Sequence, residues 1–185
     1  MTAEQLTELD ITEEQWALMG PVEKLYLDVT QRLKDSLPEL AWIELECGQL
    51  EIPEDTYPVQ FPCALIDFPS IETQDETLGN QQAIIMLQLR IGIDLYEDLY
   101  IADGNRTVDT GKALQRLSLI TAVHAALQLF ETDYSTPLTR AGIQTERRDD
   151  GIKVFSLLYG CAAKDDTGAK RFDILEGLAL KVNKA

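Results

Sequence analysis

The sequence is poor in the residues from which active sites are usually assembled. Histidine occurs once, at His124, which excludes multi-histidine metal sites and leaves any Ser-His-Asp or Cys-His arrangement only that residue. Lying between Val123 and Ala125 in a helical run, it reads as a structural histidine. The three cysteines, Cys47, Cys63 and Cys161, form no C-x-x-C pair and sit in or beside apolar stretches, so they read as buried reduced thiols. No G-x-G-x-x-G, P-loop or G-x-S-x-G motif occurs, which leaves dinucleotide, nucleotide and hydrolase-elbow chemistry without their signatures. Positive charge is also scarce: 16 Lys and Arg face 32 Asp and Glu, a net charge of -16, so no electrostatic footprint for gripping nucleic acid exists. No run reaches the ~20 apolar residues of a membrane span. The opening MTAEQLTELD has no basic or apolar targeting pattern, so an intracellular, soluble product is expected.

What the sequence has is one long, one-sided strand, QAIIMLQLRIGIDLY at 82–96. Ala83, Ile85, Leu87, Leu89, Ile91, Ile93 and Leu95 alternate to one face, with Gln88, Arg90, Asp94 and Tyr96 on the other. Strands usually run about five or six residues. One of this length either bends, with Gly92 as the natural bulge, or projects beyond its helices and needs a partner.

The remaining elements follow from local pattern. At 185 residues and 45% hydrophobic content the chain suits one domain, 21–185, preceded by an acidic arm, 1–20. Thr12 with Gln15 resembles a capping box opening a short helix over 13–19. The arm's apolar residues either fold back on the same domain or pack on a neighbouring subunit. Val22, Leu25, Tyr26, Val29, Leu33 and Leu37 predict an amphipathic helix that begins at Pro21 and ends before Pro38. Residues 41–46 alternate as a strand, with 47–52 as a continuation after a kink. Residues 63–68 form a short apolar strand between Pro62 and Pro69, and 70–81 form a polar, mobile tip leading into the long strand. A second helix spans 112–130, with a stripe of Ala113, Leu114, Leu117, Ile120, Val123, Ala126, Leu127 and Phe130 as the main core helix. Residues 138–163 form a hairpin turning at Asp149-Asp150-Gly151, and its second arm is apolar on both faces, as in a central strand. The segment 171–185 is an edge strand or a short helix. The expected class is α+β, a mixed, mainly antiparallel sheet with two main helices packed on it, in the order α-β-β-β-α-β-β.

Asp-Thr-Gly occurs at 109–111 and 166–168, resembling the aspartic-protease tripeptide, which ends an apolar strand; here the first opens a helix after a polar loop and the second sits in a polar turn. No catalytic, metal or cofactor residue is expected. Charge is distributed unevenly. Arg140, Arg147, Arg148 and Lys153 lie on or near the second hairpin, while Glu4, Glu8, Asp10, Glu13 and Glu14 crowd the arm. Opposite patches on one chain suit head-to-tail contacts between copies, and intramolecular pairing or solvation accounts for them equally well. The candidate subunit-interface residues are Leu6, Leu9, Trp16 and Met19 on the arm, together with Arg90, Arg140, Arg147 and Arg148.

The succession PVEKLYLDVTQRLKDSL, PCALIDFPSI, IIMLQLRIGIDLY, ALQRLSLITAVHAALQLF and LTRAGIQTERRDDGIKVFSLLYGCAA resembles the phage tail terminator and tail-completion proteins of the neck. The resemblance implies a non-enzymatic virion protein at the tail-head junction, forming a ring, typically of six. Such a ring caps the tail tube and docks the head-side connector, with DNA passing through without specific binding. The acidic arm and the 171–185 tail depart from that pattern. The alternative is a non-viral α+β module that accepts a peptide strand at a sheet edge.

Overall fold

The computed structural model describes residues 11–52, 58–77, 79–94 and 110–168. Thr12 caps a short helix, α1 (Glu13–Leu18): its hydroxyl accepts from the Gln15 amide, and the Gln15 side chain accepts from the Thr12 amide at 2.8 Å. Gly20 and Pro21 then start α2 (Pro21–Ser36), with Glu23 reaching back to the Gly20 amide. The 3.6-residue period brings Leu25, Val29 and Leu33 onto one stripe, and all three are fully buried.

Five strands follow: β1 (Trp42–Leu45), β2 (Cys63–Thr77), β3 (Asn80–Asp94), β4 (Thr139–Thr145) and β5 (Ile152–Asp165), with α3 (Thr110–Leu127) between β3 and β4. They form one sheet in the order β1-β2-β3-β5-β4, parallel between β1 and β2 and antiparallel elsewhere. The α+β class expected from the sequence is the class observed. β3 is the centre of the sheet and pairs with β5 from Gln81 to Asp94 without interruption. Ala83, Ile85, Leu87, Leu89, Ile91 and Ile93 all point into the core beneath the helices, as their alternation requires.

Several expectations are corrected. The residues after Phe68 are no polar tip. β2 continues through Pro69 to Thr77, and its hairpin with β3 closes around Gly79, at φ 83°. Pro69 does not end the strand because it falls in a register shift between Asp67 and Ser70, where no ladder hydrogen bond is needed from it. The bulge therefore lies on β2 and not at Gly92. Gly92 serves close packing instead, since a Cβ there would stand 2.7 Å from Cys63 Sγ and 3.1 Å from Phe61 Cε1. Residues 47–52 do not extend β1. Gly48, at φ 82°, turns the chain into a single 3₁₀ turn, Gln49–Glu51.

α3 ends earlier than its periodicity suggests, because Leu129 adopts φ 62° and directs its amide to the Leu138 carbonyl. Its buried stripe lies toward its C-terminal end, in Leu119, Ile120, Val123, Ala126 and Leu127, while Leu114 and Leu117 stand in solvent. An apolar stripe is buried only along the length that overlies other elements, so α2 contributes as much to the core as α3. The segment 171–185, Leu95 and Tyr96 lie outside the described residues.

Candidate interaction surface

The sheet has one face under the helices and a second that is covered in part. The strap of chain between β1 and β2 folds over the second face, placing Leu50, Val59 and Phe61 on Cys63, Leu65, Ile152 and Val154. Trp42 closes this smaller core from β1, while its neighbour Ile43 joins the main one, as alternation along a strand demands.

Beside that core lies an ionic cluster. Arg90, on the non-helix face of β3, donates Nε and Nη2 to the two oxygens of Glu146 at 2.8 and 2.7 Å. Its remaining donors meet Glu46 at 2.7 Å and Glu51 at 2.8 Å. Arg148 pairs with Asp150 and Glu51 and donates to the Leu50 carbonyl, tying the strap to the β4–β5 turn. Ser156 donates to Glu146 at 2.9 Å. Above all the Arg90 hydrogen bonds, then the Ser156 hydroxyl, hold the Glu146 carboxyl below its ordinary range against the effect of burial. The Arg90 guanidinium is held still more firmly in its charged form, first by Glu146. The fork of one arginine is thus shared by three carboxylates.

Beyond the strap, the second face is open toward the hairpin end. Ile84 is 38% exposed there, with the half-buried Met86, Leu158 and Ala162 beside it. Among the described residues the edges of the sheet are open as well. β1 pairs only with Cys63–Ile66, so among the described residues β2 has no neighbour on its outer side from Phe68 to Thr77. Residues 71–76 are all exposed and include Glu72, Asp75 and Glu76. On the opposite edge, β4 is exposed along nearly its whole length, with Arg140 on it and Arg147 just past its end.

The interface candidates divide accordingly. Arg90 and Arg148 are engaged within the chain and serve its own architecture, whereas Arg140 and Arg147 stay on the surface. Trp16 packs edge-on against Tyr134 of the same domain at 6.4 Å, with the Lys24 ammonium 5.7 Å from both rings. Met19 is half-buried, and Leu6 and Leu9 lie outside the described residues. Nothing in the local pattern announces the Arg90 cluster, whose carboxylates come from the strap after β1 and from the end of β4.

His124 and two of the three cysteines are engaged in packing. His124 stacks on Tyr159 at 6.3 Å, and desolvation, aided by Arg140, lowers its pKa. Burial pushes both the Cys63 and the Cys161 thiols up to about 11, away from the reactive thiolate, while Cys47 is exposed. Asp166-Thr167-Gly168 follows β5 directly, where Thr167 donates to Asp165 at 2.6 Å. Among the described residues no group of three or more His, Cys, Asp or Glu is placed to hold a metal, and no helix is long and apolar enough to cross a membrane.

The described residues therefore define an α+β domain built on a mixed sheet with two open edges and a partly uncovered face. No family model matches the chain, and no curated protein matches it. Among solved structures, a chain in the "Virion of native gene transfer agent (GTA) particle" is similar, with a TM-score of 0.43 and 13% identity over 74% of this chain and 91% of that one.

Proposed function

We propose that this chain is a structural, non-catalytic subunit of a phage-type virion, assembling with copies of itself into a ring at the tail-head junction. The observation that carries the reading is the β2–β3 hairpin. Each arm has 15 residues, and its outer edge from Phe68 onward runs without a strand beside it among the described residues. An edge of that length is a template for another chain. The ring would terminate or complete the tail tube on one side and dock the head-side connector on the other. A net charge of -16 suits a passage that DNA crosses without being gripped.

The test is light scattering on a sizing column over a range of protein and salt concentrations, followed by negative-stain imaging. A ring that becomes more abundant as salt screens the acidic self-repulsion is the expected result. A monomer under every condition would overturn the reading in favour of a module that receives a peptide strand on the same open edge.

A further inference from the structure

The two open edges carry opposite charge. The outer stretch of β2 presents Glu72, Asp75 and Glu76 and no basic residue between Ser70 and Thr77. β4 carries Arg140 and no acidic residue from Thr139 to Thr145, and Arg147 lies beyond it. Asp75 accepts from Gln81 across the hairpin at 2.6 Å, while Glu72 and Glu76 are exposed. Strand directions are compatible too. β5 is antiparallel to β3, and β3 to β2, so β2 and β5 run the same way and β4 runs against both. A β4 laid beside the β2 of a second copy, with the helices kept on one side, is therefore antiparallel to it. That is the pairing in which strands join without a crossover.

The start of β4 is partly occupied, since Gln128 accepts from the Arg140 amide at 3.1 Å and Phe130 accepts from the Leu138 amide at 2.8 Å. The stretch after the irregularity between Arg140 and Gly142 is the one left for a neighbour. Glu146 donates inward to the Val154 carbonyl at 3.0 Å, so alternation turns the backbone groups of Thr145 and Ile143 outward. Ile143, 47% exposed on β4, and Ile71, 45% exposed on β2, supply apolar contact on the helix face of such a pair.

We infer that copies of this chain join head to tail by strand addition, the basic β4 edge of one pairing antiparallel with the acidic outer edge of β2 on the next. The inference rests on the ring reading and names its contact. The arm has a smaller part in it, because Trp16 is already held by Tyr134. A heterologous contact of this kind leaves one free edge of each type on every open oligomer. Only closure satisfies all of them, and that gives a ring rather than a dimer.

Two variants of the full chain test this pairing: Arg140→Glu with Arg147→Glu, and Glu72→Lys with Glu76→Lys. All four side chains are exposed, so both proteins are expected to keep the wild-type circular dichroism and melting behaviour. Each alone should lose assembly at least tenfold in concentration dependence, because like charges then meet at every junction. Mixed in equal amounts, each supplies the edge that the other lacks, and rings of alternating composition should return. Wild-type rings with both variants assembling normally alone would overturn the edge pairing and leave the ring reading intact. So would variants that fail alone and also fail when mixed. A wild-type chain that never assembles removes the ring reading, and the edge pairing with it.

Discussion

Replacing Arg90 with Met preserves most of the side chain's volume and removes the charge that three carboxylates share. The Arg90 side chain is 12% exposed and that of Glu46 13%, whereas Glu146 is 29% and Glu51 59% exposed. Removing one partner of a fully buried ion pair costs ~3–5 kcal/mol. The Glu51 contact counts for little at its exposure, and Arg148 remains 3.9 Å from Glu146, so the expected loss is about 2–3 kcal/mol at pH 7. For a chain of this size that corresponds to a fall in Tm of roughly 5–10 °C.

The pH dependence makes the experiment specific. Glu146 has a lowered pKa in the folded wild type, so its contribution is complete above the ordinary carboxylate pKa and is lost as pH falls through the folded value. The variant lacks the guanidinium and so has no such Glu146 contribution to lose. Acidification below the ordinary carboxylate range therefore costs the wild type more than the variant, so the difference between them should hold from about pH 7.5 to about 4.5 and then shrink as pH falls through the lowered Glu146 value. Urea unfolding followed by tryptophan fluorescence at half-unit intervals from about pH 7.5 down to about pH 2.5 measures this directly. A difference that stays flat across the range, or that never exceeds ~0.5 kcal/mol, would refute the view that Arg90 holds this face of the sheet together.

Two further measurements probe the packing beneath the strap. Gly92→Ala should destabilise by ~1–3 kcal/mol through overpacking, and adding Cys63→Ala should recover much of the loss, since the nearest obstacle is Cys63 Sγ at 2.7 Å. Thermal melts of the single and double variants decide it, and an additive pair would place the strain elsewhere. In native protein a thiol reagent near pH 8 should titrate Cys47 quickly and leave Cys63 and Cys161, both raised to about 11 and buried, to react only as the chain opens. Rapid modification of all three would mean that the strap does not seal Cys63.

The elements that could be read from the sequence are those specified by short-range pattern. The period-two run in β3 identified its buried face, Thr12 with Gln15 marked the start of α1, and the Asp-Asp-Gly turn located the β4–β5 hairpin, with Gly151 at φ 78°. The errors arose where a residue type has two uses. Pro69 looked like a stop because proline usually ends a strand, yet at a register shift it is accommodated, and β2 runs on through polar residues with no alternation to announce them. Gly92 looked like a bend and is a packing gap. The Arg90 cluster was invisible for a different reason: its partners lie 44, 39 and 56 residues away in sequence, and only the sheet order brings them together. The open edges belong to the same category, because an edge is a property of which strands are neighbours, and no strand carries that information by itself.

Under the proposed assembly, a separate subunit carries both edges uncovered among the described residues. An exposed strand edge invites pairing with any other edge, and folded proteins commonly blunt such edges with charge. Here the acidic residues of outer β2 meet that need between two like edges, since a β2-to-β2 pair would bring Glu72, Asp75 and Glu76 against their own copies. Arg140 and Arg147 act in the same sense for a β4-to-β4 pair. Both symmetric pairings are disfavoured by repulsion, and the heterologous one is the pairing that charge permits. In the proposed ring, the charges that protect the separate subunit would also choose its neighbour, favouring the heterologous contact over an isologous dimer.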